Sequence, residues 1–224
     1  MFALRTDATL RWVKGPKVLD IGCTGHVVEI GSPYWLHGRL RENFPSVTGV
    51  DISAENVETL RKHGLGDVYV ESAESFDLSQ KFDTIVAGEL IEHLSNPGLF
   101  LQQARRHLGD QGRLVLTTPN PFSLAYLLYA ILKFPRTCQN PQHACWFCPR
   151  TMIELAERFG FKVVYFELID DYRSDDPSFV YRLFGKLMMI FSPVIPKRMK
   201  KTMLFVLAPN ANGHSVLKRR LPDE

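Results

Sequence analysis

Glu89, Glu92 and His93 crowd into one short stretch, GELIEHL (88–94). On a helical turn, positions three and four apart share a side, so Glu89 would face both Glu92 and His93. Carboxylates beside an imidazole suit general acid–base work, such as removing a proton from a hydroxyl. A second imidazole, His143, lies in NPQHACWF (140–147), where Trp146 and Phe147 offer aromatic walls for a pocket. His93, His143 and Glu92 are the catalytic candidates. Each also has a plainer role, as hydrogen-bonded loop support for Glu92 and His93 and as aromatic-flanked packing for His143. Both alternatives stand at this point.

A second constellation surrounds glycines. VLDIGCTGH (18–26) reads as a buried strand entering a loop, with Asp20 just before Gly22, and Gly25 beyond. Small residues there let the backbone approach a ligand closely. A pyrophosphate is held by backbone N–H groups and a helix N-terminus, and Asp20 would repel it. A ligand carrying an ammonium or sulfonium would be attracted. Asp51 closes the next apolar run, SVTGVDI (46–52), where a carboxylate can accept from both hydroxyls of a ribose. A ribose at one end and positive charge at the other describe S-adenosylmethionine. The same loop argues against a nicotinamide oxidoreductase, whose G-x-G-x-x-G fingerprint is missing.

Cys138, His143, Cys145 and Cys148 invite a tetrahedral zinc site. Only one C-x-x-C pair is present, and its two inner residues are aromatic, so packing is favoured and no metal is assigned.

The elements that must position these residues alternate. Strands are predicted at 17–22, 46–52, 67–71, 82–88, 112–118, 161–169 and 202–208. Helices are predicted at 34–44, 53–63, 97–108 and 149–159, with Ser53 as an N-cap. This rhythm predicts an α/β, doubly wound, mostly parallel sheet covered on both faces. With 224 residues, 45% of them hydrophobic, and a net charge of +3, one domain over 1–224 is expected. That charge is mild and the basic run KRMKK (197–201) is short, so nucleic acid is not expected as a partner. Met1–Trp12 has no apolar core followed by small residues and cysteines are few, so a reducing cytoplasm is expected. No apolar run reaches the roughly 18 residues of a membrane span.

Two segments interrupt the rhythm, within 122–150 and 170–201. FSLAYLLYAILKF (122–134) is apolar on nearly all sides. SFVYRLFGKLMMIFSPV (178–194) aligns Phe179, Leu183, Leu187 and Phe191 on one face, with Val180, Phe184 and Met188 beside them. KRMKK (197–201) follows, and no acidic residue occurs between Pro177 and Lys201. These insertions are expected to form a helical lid or to contact a membrane surface through 178–201. The tail, 212–224, is expected to fray.

Six motifs occur in order: VLDIGCTGH, GVDIS (49–53), ESAESFDL (71–78), FDTIVAGELIEHLSNP (82–97), GRLVLTTPNP (112–121) and RFGFKVV (158–164). Together they resemble the class I S-adenosylmethionine-dependent methyltransferases, in the small-molecule, type 11 branch. The resemblance covers about residues 15–170. It implies a Rossmann-like sheet of seven strands whose last strand is antiparallel. It implies that Asp20, Gly22, Cys23 and Gly25 line the methionine end of the cofactor. Asp51 would hold the ribose, Ile52 would pack on the adenine, and Ser72 and Ala73 would border its edge. Gly88, Glu89 and Leu90 would pass below the cofactor. Thr24 and His26 depart from the family's D-x-G-x-G-x-G loop, and Ser72 stands where Asp is frequent. The implied activity is methyl transfer to a small or lipid-linked acceptor, at a hydroxyl oxygen. A binding or scaffold protein that kept the fold without turnover is the alternative.

Overall fold

The computed structural model describes residues 4–25, 30–131, 141–171 and 178–210. His26, Cys138 and the tail 212–224 lie outside the described residues, as do 132–140 and 172–177 of the two insertions.

The strands are β1 (Lys17–Ile21), β2 (Ser46–Asp51), β3 (Val68–Val70), β4 (Phe82–Gly88), β5 (Leu108–Pro119), β6 (Phe161–Ile169) and β7 (Thr202–Pro209). They form one seven-stranded sheet in the order β3-β2-β1-β4-β5-β7-β6. β1 to β5 run parallel, and β7 inserts antiparallel between β5 and β6. The last strand is antiparallel, as the resemblance implied. Strand order reverses between β1 and β4, and a crevice for ligands opens at the carboxyl ends of strands at such a point.

The helices are α1 (Arg5–Leu10), α2 (Leu36–Asn43), α3 (Ala54–Lys62), α4 (Pro97–His107), α5 (Leu124–Ile131), α6 (Pro149–Arg158) and α7 (Phe179–Phe191). Side chains alternate across a strand, and β1 shows the consequence. Val18 faces α2, in a cluster with Leu36, Leu40 and Val86. Leu19 and Ile21 face the other way, toward Phe100, Leu101 and Ala104 of α4 and Met152 and Ala156 of α6. Asp20 shares the parity of Val18 and so falls under α2. Complete burial of a residue such as Leu40 contributes about 1.5–3 kcal/mol. α3 begins as predicted: Ser53 Oγ accepts from the Asn56 N–H at 3.3 Å.

α5 and α7 share a small apolar cluster of Ala125, Leu128, Phe184, Met188 and Ile195. No helix among the described residues is long and apolar enough to cross a membrane.

Candidate active site

The turn after β1 is built from its backbone. The N–H groups of Gly22 and Cys23 both donate to Val50 O, at 2.8 and 3.2 Å, which ties the turn to β2. Gly22 and Gly25 take left-handed φ values of 79° and 64°, which disfavour side chains. A Cβ on Gly22 would sit 3.2 Å from Leu90 Cδ1, so the end of β4 lies directly against the glycine turn.

Two of the expected ligand residues turn their side chains inward. Asp20 is only 2% exposed, and its Oδ2 lies 3.1 Å from His37 Nδ1 on α2. Burial raises its pKa, while the bond and charge of His37 act to lower it. Asp20 and His37 are thus a buried pair behind the loop, rather than a carboxylate facing open space. Cys23 turns its thiol into the core with Trp35, Val57, Leu60 and Val68. Its carbonyl accepts from Trp35 Nε1 at 2.8 Å. Burial pushes the thiol pKa far upward. Gly49 leaves room for both neighbours, since a Cβ there would meet Cys23 Sγ and His37 Cε1 at 2.8 Å.

Asp51 ends β2 with 9% exposure. Its Oδ1 accepts from the Ser53 N–H at 3.0 Å. Its Oδ2 accepts from the Thr24 N–H at 3.0 Å and the Thr24 hydroxyl at 2.8 Å. Next to it Ile52 is 75% exposed, an apolar surface open to a flat ring. Ser72 Oγ accepts from the Glu74 N–H at 3.2 Å, and Ala73 packs into the core. An open carboxylate lone pair on Oδ1, an exposed apolar side chain beside it and a left-handed glycine turn fit a nucleoside such as that of S-adenosylmethionine.

The second constellation gathers after β4. Glu89 takes a left-handed φ of 53°, and its N–H donates to Thr117 O and Thr117 Oγ1 at 3.0 and 3.1 Å. Such a backbone is strained for a side-chain-bearing residue and is typical of functional turns. The chain then forms a 3₁₀ turn at Ile91–His93. Glu92 is 1% exposed. Thr118 Oγ1 donates to its Oε2 at 3.0 Å, and its Oε1 meets no hydrogen-bond partner among the described residues. Burial, then the charge of Glu89, holds the Glu92 pKa well above the usual carboxylate range. Burial also raises Glu89, against the opposing charge of Arg5. The Ala144 and Cys145 N–H groups donate to Glu92 O at 2.8 and 3.1 Å. That bond pair carries the 141–148 segment across the site. The rings of His93 and His143 meet edge to face at 4.7 Å, and donor atoms of Glu92, His93 and His143 all lie within 4.8 Å of one another. Trp146 stands 5.4 Å from His143.

The structure therefore brings Glu92, His93 and His143 together, two of them far apart in sequence from the third. The cysteines diverge. Cys145 Sγ points to the carbonyls of Ile91 and Glu92, whereas Cys148 caps α6 with Thr151. Four residues of the site lacked a sequence signal. His37 is a polar residue inside α2. Thr24 looked only like a missing glycine. Thr118 supports Glu92, and Arg5, from the unpredicted α1, reaches Asp171 Oδ2 at 3.2 Å and Thr117 Oγ1 at 3.5 Å.

A family model described as a methyltransferase domain matches residues 3–165. The chain belongs to the methyltransferase domain family. It is a class I, S-adenosylmethionine-dependent member, and that cofactor is the ligand its crevice fits. The rat mitochondrial ubiquinone biosynthesis O-methyltransferase is 31% identical over 126 residues, covering 52% of this chain and 34% of that protein. The ubiquinone biosynthesis O-methyltransferase of Actinobacillus pleuropneumoniae is 33% identical over 128 residues, covering 52% and 51%. The chain thus spans about a third to a half of the length of these relatives. Among solved structures, an S-adenosylmethionine-dependent methyltransferase from Archaeoglobus fulgidus superposes with a TM-score of 0.60 at 20% identity, covering 91% of this chain and 90% of that one. That likeness concerns the fold.

Proposed function

We propose that this methyltransferase-domain chain transfers a methyl group from S-adenosylmethionine to a hydroxyl oxygen of a small or lipid-linked acceptor. The observation that carries the choice of oxygen is the Glu92–His93–His143 cluster. A hydroxyl must lose its proton as the new bond forms, and a buried carboxylate with an elevated pKa beside two imidazoles is suited to take it. The names of the relatives, which act in ubiquinone biosynthesis as O-methyltransferases, favour the same acceptor class.

In this reading Asp51 Oδ1 accepts from a ribose hydroxyl, Ile52 covers the adenine, and Ser72 and Ala73 border it. Gly22, Gly25, Glu89 and Leu90 shape the methionine end, with the Asp20–His37 pair behind them. The bound sulfonium supplies an activated methyl group. The chain aligns the acceptor oxygen, excludes water and receives the proton at Glu92 or at one of the two imidazoles. Trp146 walls the acceptor side.

A second reading of the same cluster replaces the base by a cation. One carboxylate oxygen and two imidazole nitrogens within 4.8 Å of one another match the donor set of a divalent ion, which would acidify a bound hydroxyl. His93 and His143 would then be ligands, with Glu92 in place of the cysteines that the sequence grouped with His143.

One assay tests the main proposal and separates the two. A matched pair of acceptors, a catechol and the corresponding aromatic amine, is offered with labelled S-adenosylmethionine before and after chelation. Label in the catechol ether, unaffected by chelation, is the expected result. Label in the amine alone would refute the proposal. Activity lost on chelation and restored by magnesium or zinc would assign the cluster to a metal.

A further inference from the structure

We infer that the outward face of α7 is a docking surface for an anionic lipid bilayer. Two sides of this helix differ in what they meet. Phe184 and Met188 turn inward to Ala125 and Leu128 of α5. The opposite arc remains open to solvent: Phe179 is 66%, Leu183 47%, Leu187 45%, Ile190 67% and Phe191 56% exposed. At 100° per residue these positions form one continuous apolar stripe along the helix. α5, packed beside it, exposes Leu127 and Ile131 as well. A contiguous apolar face of this kind marks an interaction site.

Charge selects the partner. Arg182 and Lys186 lie along one edge of the stripe. Val194 extends it past the helix end at 76% exposure, and a 3₁₀ turn at Lys197–Met199 follows, with Lys197 and Arg198 exposed, whereas Lys200 and Lys201 turn inward to Asp170 Oδ2 at 3.7 Å and Asp171 O at 2.8 Å. No acidic residue occurs from Ser178 to Lys201. An apolar stripe edged by Arg182 and Lys186, and followed by Lys197 and Arg198, is complementary to an anionic leaflet, where acyl chains take the stripe and phosphates the cations. At thirteen residues, α7 is about 20 Å long, short of the roughly 30 Å hydrocarbon layer, so it lies in the plane of the surface.

The inward side of α7 also connects the helix to the candidate site. Phe184 packs 4.9 Å from Tyr129 with the rings tilted, Tyr129 is 6.3 Å from Tyr126, and Tyr126 is 5.3 Å from Trp146, the neighbour of His143. Aromatic packing thus runs from the membrane-facing helix to the acceptor side. Docking would present the site to an acceptor that resides in the bilayer.

Vesicle binding is read without turnover, so it stands or falls separately from methyl transfer. The full chain is co-floated with vesicles of phosphatidylcholine alone or mixed with phosphatidylglycerol. Two double variants on exposed positions accompany it: Leu187→Ser with Ile190→Ser, and Lys197→Glu with Arg198→Glu. The expected result is binding to the mixed vesicles at least about tenfold tighter than to the neutral ones. The charge variant loses that preference, and the apolar variant loses at least about tenfold on both. All three proteins keep the same circular dichroism and the same affinity for S-adenosylhomocysteine. Equal flotation of all three proteins would overturn the inference. So would a wild-type dimer that the apolar variant converts to monomer while vesicle binding stays unchanged, which would make a second copy the occupant of the stripe.

Discussion

Thr24 donates twice to one atom of Asp51: its N–H at 3.0 Å and its hydroxyl at 2.8 Å both end on Oδ2. A carboxylate oxygen accepts along two lone-pair directions, so Thr24 fills this oxygen. Oδ1 accepts from the Ser53 N–H and keeps one direction open. The residue that stands where the family loop has glycine therefore competes with a ribose for Asp51. Thr24→Val, which keeps the shape and the N–H, is expected to tighten cofactor binding several-fold. It should lower folding stability by about 1–2 kcal/mol, for the lost hydroxyl bond. Asp51→Ala is expected to weaken cofactor binding at least about a hundredfold, because a site built to pair a hydroxyl discriminates strongly when the pair is broken. Calorimetric titration and urea unfolding read the two quantities.

Glu92 carries a pH signature. Its folded-state pKa is raised, so its proton is held more tightly in the folded chain. The associated stability is fully present below the ordinary carboxylate value of 4.5 and is lost as pH rises through the elevated folded pKa. Glu92→Gln has no proton to lose and retains an acceptor for Thr118. Urea midpoints for the two proteins are expected to coincide in acid and to diverge with rising pH, with the variant the more stable. Turnover should move the opposite way, because the variant cannot accept a proton: kcat falls about 100- to 10,000-fold.

His143 is predicted to matter for the acceptor rather than the cofactor. His143→Ala should lower kcat by about a hundredfold and leave the affinity for S-adenosylhomocysteine unchanged. An unchanged kcat would return His143 to the packing role with Trp146.

Arg5 ties the first helix to the site. It bridges to Asp171 at 3.2 Å with both side chains mostly buried, and its charge also acts on Glu89. Arg5→Met leaves these carboxylates uncompensated and should cost about 2–3 kcal/mol, toward the lower end for a broken buried pair because some exposure remains. Adding Glu89→Gln to that variant should recover part of the loss in urea unfolding.

The central strands were legible because β1 and β4 are buried on both faces and read as apolar runs, VLDI and FDTIVAG, whereas the edge strand β3 exposes Tyr69 and Val70. α1 was missed because its buried positions, Thr6, Ala8 and Thr9, are small or polar and leave no apolar period. β5 starts at Leu108 rather than 112, since Leu108 pairs with Phe82 across an irregular register before the regular ladder resumes at Thr84. No local pattern encodes that shift. Within the site, Asp51 and Glu92 were visible from their places at strand ends. The His37 partner of Asp20 depends on which face of β1 lies under α2. The meeting of His143 with Glu92 depends on backbone bonds from Ala144 and Cys145 that join segments distant in sequence.

Transfer itself is tested most directly in a single turnover. Protein in excess is mixed with methyl-labelled S-adenosylmethionine and a lipid-linked catechol, and the products are resolved by mass spectrometry. The account predicts a labelled methyl ether and S-adenosylhomocysteine in equal amounts, with Glu92→Gln yielding little of either on the same time scale. Intact S-adenosylmethionine recovered from a protein that binds it, across hydroxyl acceptors with and without lipid chains, would contradict the account and leave a fold that holds the cofactor without using it.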